Sequence, residues 1–174
     1  MKKILLAVVA VLCVATVSAQ KSGFSKAVDA VASQKWSVGL RVGSGLQADA
    51  ECFYAGDKYV EARFGMQYVA GLTADFTILH NWNVGNWNWT PKVGKWFLDA
   101  GVGANVGGVA HYAYVGVAGQ AKFGLKFNSV PIRLALDFTP SFGPGILYFP
   151  GAGAGAGFNS WGLCNLGLSA TYCF

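Results

Sequence analysis

The chain has 174 residues, enough for one domain, and is 53% hydrophobic but only 12% charged, with 24 glycines. A soluble domain carries about twice that share of charge and about half that share of glycine. The formal charge of +5 includes no basic block, and no apolar run of about 20 residues lies beyond the N-terminus. Nucleic-acid binding and helical membrane spans are therefore both excluded.

The N-terminus reads as a signal peptide over residues 1–19. Lys2 and Lys3 form a basic start, residues 4–14 an apolar core, and Val17, Ser18 and Ala19 a small-residue cleavage site. Cleavage there lowers the formal charge by two. Residues 20–34 form a short leader in which Phe24, Val28 and Val31 fall at helical spacing. Three cysteines remain, Cys52, Cys164 and Cys173. An odd count without compact spacing argues for apolar fillers rather than disulfides or a zinc site.

From Trp36 the pattern becomes strict alternation, the period of a β-strand. The first strand sets Trp36, Val38, Leu40 and Val42 against Ser37, Gly39, Arg41 and Gly43. The second sets Leu46, Ala48, Ala50 and Cys52 against Gln47, Asp49 and Glu51, and a turn follows over residues 55–58. The third sets Val60, Ala62, Phe64, Met66 and Tyr68 against Glu61, Arg63, Gly65 and Gln67. The fourth sets Leu72, Ala74, Phe76 and Ile78 against Thr73, Asp75 and Thr77.

A tryptophan-rich connection is expected over residues 81–96, with Trp82, Trp87, Trp89 and Trp96 suited to a membrane–water boundary. The fifth strand sets Leu98, Ala100, Val102, Ala104 and Val106 against Asp99, Gly101, Gly103 and Asn105. The sixth sets Val115, Val117, Ala121, Phe123, Leu125 and Phe127 against Tyr114, Gly116, Gln120, Lys122, Gly124 and Lys126. The seventh sets Ile132, Leu134, Leu136 and Phe138 against Arg133, Ala135, Asp137 and Thr139. A flexible Gly/Pro connection over residues 140–160, containing GAGAGAG, leads to a last strand in residues 161–174. There Leu166, Leu168, Ala170, Tyr172 and Phe174 oppose Asn165, Gly167, Ser169, Thr171 and Cys173.

Eight segments of about nine to twelve residues suit an antiparallel up-and-down transmembrane β-barrel over residues 35–174. Charge parity is the strongest argument. Arg41, Asp49, Glu51, Glu61, Arg63, Asp75, Asp99, Lys122, Lys126, Arg133 and Asp137 all fall on the less apolar face of their strands. A lipid-facing charge at mid-bilayer costs roughly 2–4 kcal/mol, so a bilayer enforces this segregation. The near-equal acids and bases are expected to pair as a network inside a narrow lumen. Glycines 39, 43, 65, 101, 103, 116, 124 and 167 share that face, as crowding by long side chains requires. A secreted soluble barrel with a ligand cavity would show the opposite polarity, an apolar interior and a polar exterior.

The segments KYVEARFG, WFLDAGVGANVGG, YVGVAGQAKFGLKFNSVPIRLALDFTPSFGP and LGLSATYCF resemble the small outer-membrane β-barrels of Gram-negative bacteria. That group includes outer-membrane protein X and the membrane domain of outer-membrane protein A. The resemblance implies residence in the bacterial outer membrane as a monomer, among outer-membrane lipids and lipopolysaccharide. It also implies that Leu168, Ala170, Tyr172 and Phe174 form the C-terminal signal read by the barrel-assembly machinery. The long Trp-rich stretch departs from the short periplasmic turn expected after strand four.

No cofactor or metal motif emerges. Residues 101–107 lack nucleotide-loop spacing, and GAGAGAG lacks the Lys and Ser/Thr of a phosphate loop. The expected function is non-enzymatic, a structural or surface-interaction barrel with a filled, charge-paired interior. The alternative is a lipid-A-modifying acyltransferase or deacylase using His80 or His111, though no serine or acid is tied to either histidine by pattern.

Overall fold

The computed structural model describes residues 35–174 apart from 56, 69–71, 150, 152 and 160. The expected signal peptide and leader lie outside the described residues. The alternating segments form ten strands: β1 (Trp36–Gly43), β2 (Gly45–Ala55), β3 (Lys58–Tyr68), β4 (Leu72–Thr90), β5 (Gly94–Val109), β6 (Tyr112–Phe127), β7 (Ile132–Phe138), β8 (Ser141–Phe149), β9 (Gly153–Asn159) and β10 (Leu166–Cys173). Every strand pairing among the described residues is antiparallel. Eight strands run in the order β5-β4-β3-β2-β1-β10-β7-β6, and β6 pairs back onto β5, which closes an eight-stranded barrel. Closure satisfies the backbone groups that an open sheet would leave bare.

The register fixes the shape of the barrel. One circuit of cross-strand partners starts at Ile132 and passes through Tyr172, Val38, Ala50, Ala62, Ile78, Ala104 and Val117 to Phe142. It returns to the same wall ten residues further along. Eight strands with that stagger tilt by about 40° and enclose a backbone radius of about 8 Å, which side chains alone can fill. Over ten residues the wall climbs about 25 Å along the barrel axis.

β7 and β8 are two parts of one wall strand. Both pair with β6 in one unbroken register, from Lys126↔Arg133 through Ala121↔Phe138 to Ala118↔Ser141 and Tyr112↔Leu147. Pro140, which has no N–H to give the ladder, separates them without a bulge. Its carbonyl still accepts from Gly119 N–H at 2.8 Å. The expected flexible connection over residues 140–160 is thus largely a β-hairpin. GAGAGAG supplies most of β9, which pairs only with β8 among the described residues. Gly151 and Gly153 take φ of +84° and +95° at the hairpin turn, a region L side chains rarely adopt.

Two further expectations change. The last strand begins at Leu166 rather than at residue 161, because Trp161–Cys164 forms a 3-10 turn. The Trp-rich stretch is not a connection either. β4 and β5 run on through it and meet at a turn over residues 91–93. The register slips between Asn83 and Gly85, so Val84 is an extra, bulged residue. The bulge reverses the side-chain parity of β4. Trp82 before it and Trp87 after it both lie on the outer face, Trp87 opposite Trp96.

Trp36, Phe174 and the β2–β3, β4–β5 and β6–β7 turns share one end of the barrel, the near end. The β1–β2, β3–β4 and β5–β6 turns and the β8–β9 hairpin share the far end.

Candidate functional site

The outward residues form an apolar belt: Val38, Val42, Leu46, Phe64, Ile78, Val102, Val117, Leu134, Leu136 and Leu168 are all exposed. The inward parity holds the charges. Six carboxylates, Asp49, Glu51, Glu61, Asp75, Asp99 and Asp137, and four bases, Arg41, Arg63, Lys122 and Arg133, are buried. Lys126 shares their parity and sits half-buried at the near end.

The network spans the lumen from wall to wall. Lys122 on β6 donates to Glu51 Oε1 on β2 at 2.8 Å and to Glu61 Oε2 on β3 at 2.9 Å. Arg133 on β7 donates to Glu51 Oε2 and to Asp99 Oδ2 on β5, both at 2.8 Å. Tyr59 donates to the same Asp99 oxygen at 2.9 Å, Asn83 to its other oxygen at 2.7 Å, and Ser37 to Glu51. Farther along the axis, Arg41 on β1 donates to Asp137 on β7 at 2.8 Å and to Asn165, just before β10, at 2.9 Å. Arg63 donates to Glu61 at 2.6 Å and to Thr139 at 2.9 Å. Gln120, with its amide oxygen toward Arg63, donates to Glu61 Oε2 at 3.0 Å. Such charge-assisted bonds are the strong ones in a site screened from water.

Two acids depart from simple pairing. Asp75 is held by neutral donors alone: Gln47 at 2.9 Å, Gln67 at 2.7 Å, Thr77 at 2.8 Å and Tyr114 at 2.7 Å. Asp49 makes no direct hydrogen bond and lies 3.8 Å from Lys122 and 3.9 Å from Arg63. Asp49, Glu51 and Glu61 approach one another like a ligand set for a metal ion. The cation already between them is Lys122.

Sequence reading missed the aromatic layer at the near end. The Arg133 guanidinium lies 4.3 Å from the Phe97 ring centroid, 5.2 Å from Phe53 and 5.3 Å from Tyr59. Each ring shares the parity of a charge two residues away, Glu51, Glu61 or Asp99, and that was the available signal. Leu79 also faces inward. Glycine placement follows from this crowding. A Cβ on Gly167 would lie 2.5 Å from Arg41 Cζ, and one on Gly124 would lie 2.6 Å from Phe97 Cζ.

The remaining candidates are on the outside. Leu168, Ala170 and Phe174 are exposed on one face of β10, with Tyr172 half-buried beside them. His80 is on the outer face of β4, where its Nε2 shares a hydrogen bond with the Tyr54 hydroxyl, and its ring lies 6.0 Å from Trp82. His111 is in the β5–β6 turn, where its carbonyl accepts from Tyr148 N–H at 2.8 Å. Cys52, Cys164 and Cys173 are free thiols.

No protein-family model, curated protein or solved structure matches the chain. The geometry alone therefore carries the functional reading.

Proposed function

We propose that this chain is an integral outer-membrane β-barrel protein, exported by a cleaved signal peptide, with a structural or surface-interaction role. The observation that carries the reading is the inverted polarity of a closed barrel. Its buried charges lie inside, and its exposed apolar belt spans the height between Ile132 and Phe142. That height, about 25 Å, matches the apolar band of outer-membrane barrels. A soluble barrel would place the same residues the other way round. The cross-lumen ion pairs brace opposite walls and fill the axis, which supports a braced wall over a conduit. The exposed face of β10 ending at Phe174 is the surface offered to the assembly machinery.

The experiment is refolding of the full chain into lipid vesicles, followed by gel electrophoresis with and without boiling. An inserted barrel migrates differently unboiled and stays with the vesicles on flotation. Identical migration and recovery in the soluble fraction would overturn the proposal. A lipid-modifying hydrolase or acyltransferase is the competing reading, and it rests on the outward His80–Tyr54 pair. It requires a mass change in lipopolysaccharide incubated with the protein, abolished by His80→Ala.

A further inference from the structure

The charges outside the buried network are confined to one end. In residues 35–174 they are Lys35, Asp57, Lys58, Lys92, Lys95 and Lys126. All six sit at the near end, beside the start of β1 or the turns that join β2 to β3, β4 to β5 and β6 to β7. The far end has no counterpart. Residues 42–48, 64–74, 100–121 and 138–174 contain no Asp, Glu, Lys or Arg at all. His111 is the only titratable nitrogen side chain there.

Each of four lysines also neighbours an aromatic ring on the wall. Lys35 precedes Trp36, Lys95 precedes Trp96, Lys126 precedes Phe127, and Lys58 is registered opposite Trp82. Lys35, Lys58, Lys92 and Lys95 are exposed. Tryptophan marks the depth where hydrocarbon gives way to head groups, and a lysine beside it extends its ammonium into the head-group layer. Lys95 and Lys126 face each other directly across β5 and β6, at the near mouth of the lumen.

We infer that the near end is a lysine collar seated among anionic phospholipid head groups, and that the far end holds no charged lipid. The inference rests on the membrane reading above. It identifies the leaflet at the near end as the one this protein grips electrostatically. The phosphates of a lipopolysaccharide leaflet at the far end would meet no Lys or Arg in residues 42–48, 64–74, 100–121 or 138–174.

Five of the six tryptophans, Trp36, Trp82, Trp87, Trp89 and Trp96, lie at the near end and report its lipid neighbours. The full chain is refolded into vesicles of phosphatidylglycerol and phosphatidylcholine at fixed proportion. Either one or the other lipid carries brominated acyl chains, which quench indole. A collar of this charge enriches the anionic lipid, so brominated phosphatidylglycerol quenches at least about twofold more per mole than brominated phosphatidylcholine. The variant Lys35→Gln/Lys58→Gln/Lys92→Gln/Lys95→Gln, which alters only exposed side chains, equalises the two. Equal quenching of the unaltered protein by both lipids, with boiling-dependent migration intact, overturns the collar but leaves the barrel. A preference that survives the four substitutions overturns it as well. Absence of quenching by either lipid, with identical migration boiled and unboiled, removes the membrane reading and the collar together.

Discussion

Lys122 offers the sharpest test of the lumen. Its side chain is 1% exposed and donates across the lumen to two carboxylates on the neighbouring strands β2 and β3, with a third 3.8 Å away. Lys122→Met keeps most of the stem and removes the charge. Two charge-assisted hydrogen bonds are lost, each worth about 1.5–3 kcal/mol. Glu51 keeps Arg133 and Glu61 keeps Arg63, but Asp49 is left with Arg63 alone at 3.9 Å. Breaking a buried pair on one side costs about 3–5 kcal/mol, and that range is expected here. The assay is denaturant unfolding of the vesicle-inserted protein, followed by tryptophan fluorescence. Adding Glu61→Gln removes one of the three carboxylates that Lys122 had balanced and lessens the repulsion on Asp49, so the double variant should be more stable than additivity predicts by about 1 kcal/mol or more. A loss below about 1 kcal/mol for Lys122→Met, with no coupling to Glu61, would refute the view that these ion pairs brace the barrel.

Two glycine substitutions form a contrast. Gly167→Val drives a side chain into the Arg41 guanidinium and should cost about 1–3 kcal/mol in the same unfolding assay. A Cβ at Gly119 meets nothing nearer than Pro140 Cγ at 3.7 Å, and Gly119→Ala should be close to neutral. Deleting Val84 removes the β4 bulge and turns Trp87 and Trp89 toward the lumen side. In a version retaining Trp89 as its single tryptophan, quenching by brominated lipid should fall several-fold, and unchanged quenching would show that the bulge does not set the face.

The wall was legible because a strand's period is two and a charge marks its parity at once. Glu61 and Arg63 fix β3, and Asp75 fixes β4, with no knowledge of their neighbours. Partners across the lumen were not legible. Arg41 meets Asp137 from 96 residues away, which depends on the stagger of the whole circuit. Local rules also misread residues 140–160, since Gly and Pro there signal a turn by composition. Pro140 instead sits in a continuous register, and the alternating Gly and Ala of β9 leave no side chain large enough to reveal a strand. Val84 was not legible for a different reason. A bulge adds a residue without changing composition, and the tryptophans around it read as a connection rather than as a continuing strand. The aromatic layer of Phe53, Tyr59 and Phe97 lay at the ends of the alternating runs, where no face was assigned, and Arg133 stacks against those three inside.

The circuit that returns to its own wall ten residues on has a consequence for tolerance to insertion and deletion. In an open sheet a one-residue insertion disturbs the strand that carries it and the next one. Here any insertion in β1–β3, β5, β6, β7 or β10 must be absorbed before the ring closes, or the last pairing meets the first out of phase and half the wall turns charge outward. The tip of the β8–β9 hairpin beyond Leu147, the last residue of β8 paired with β6, and the β4–β5 tip beyond Val84 stand outside that loop of constraints. They are the places where sequence length is free to drift, and where an epitope or reporter segment can be spliced in without resetting the interior.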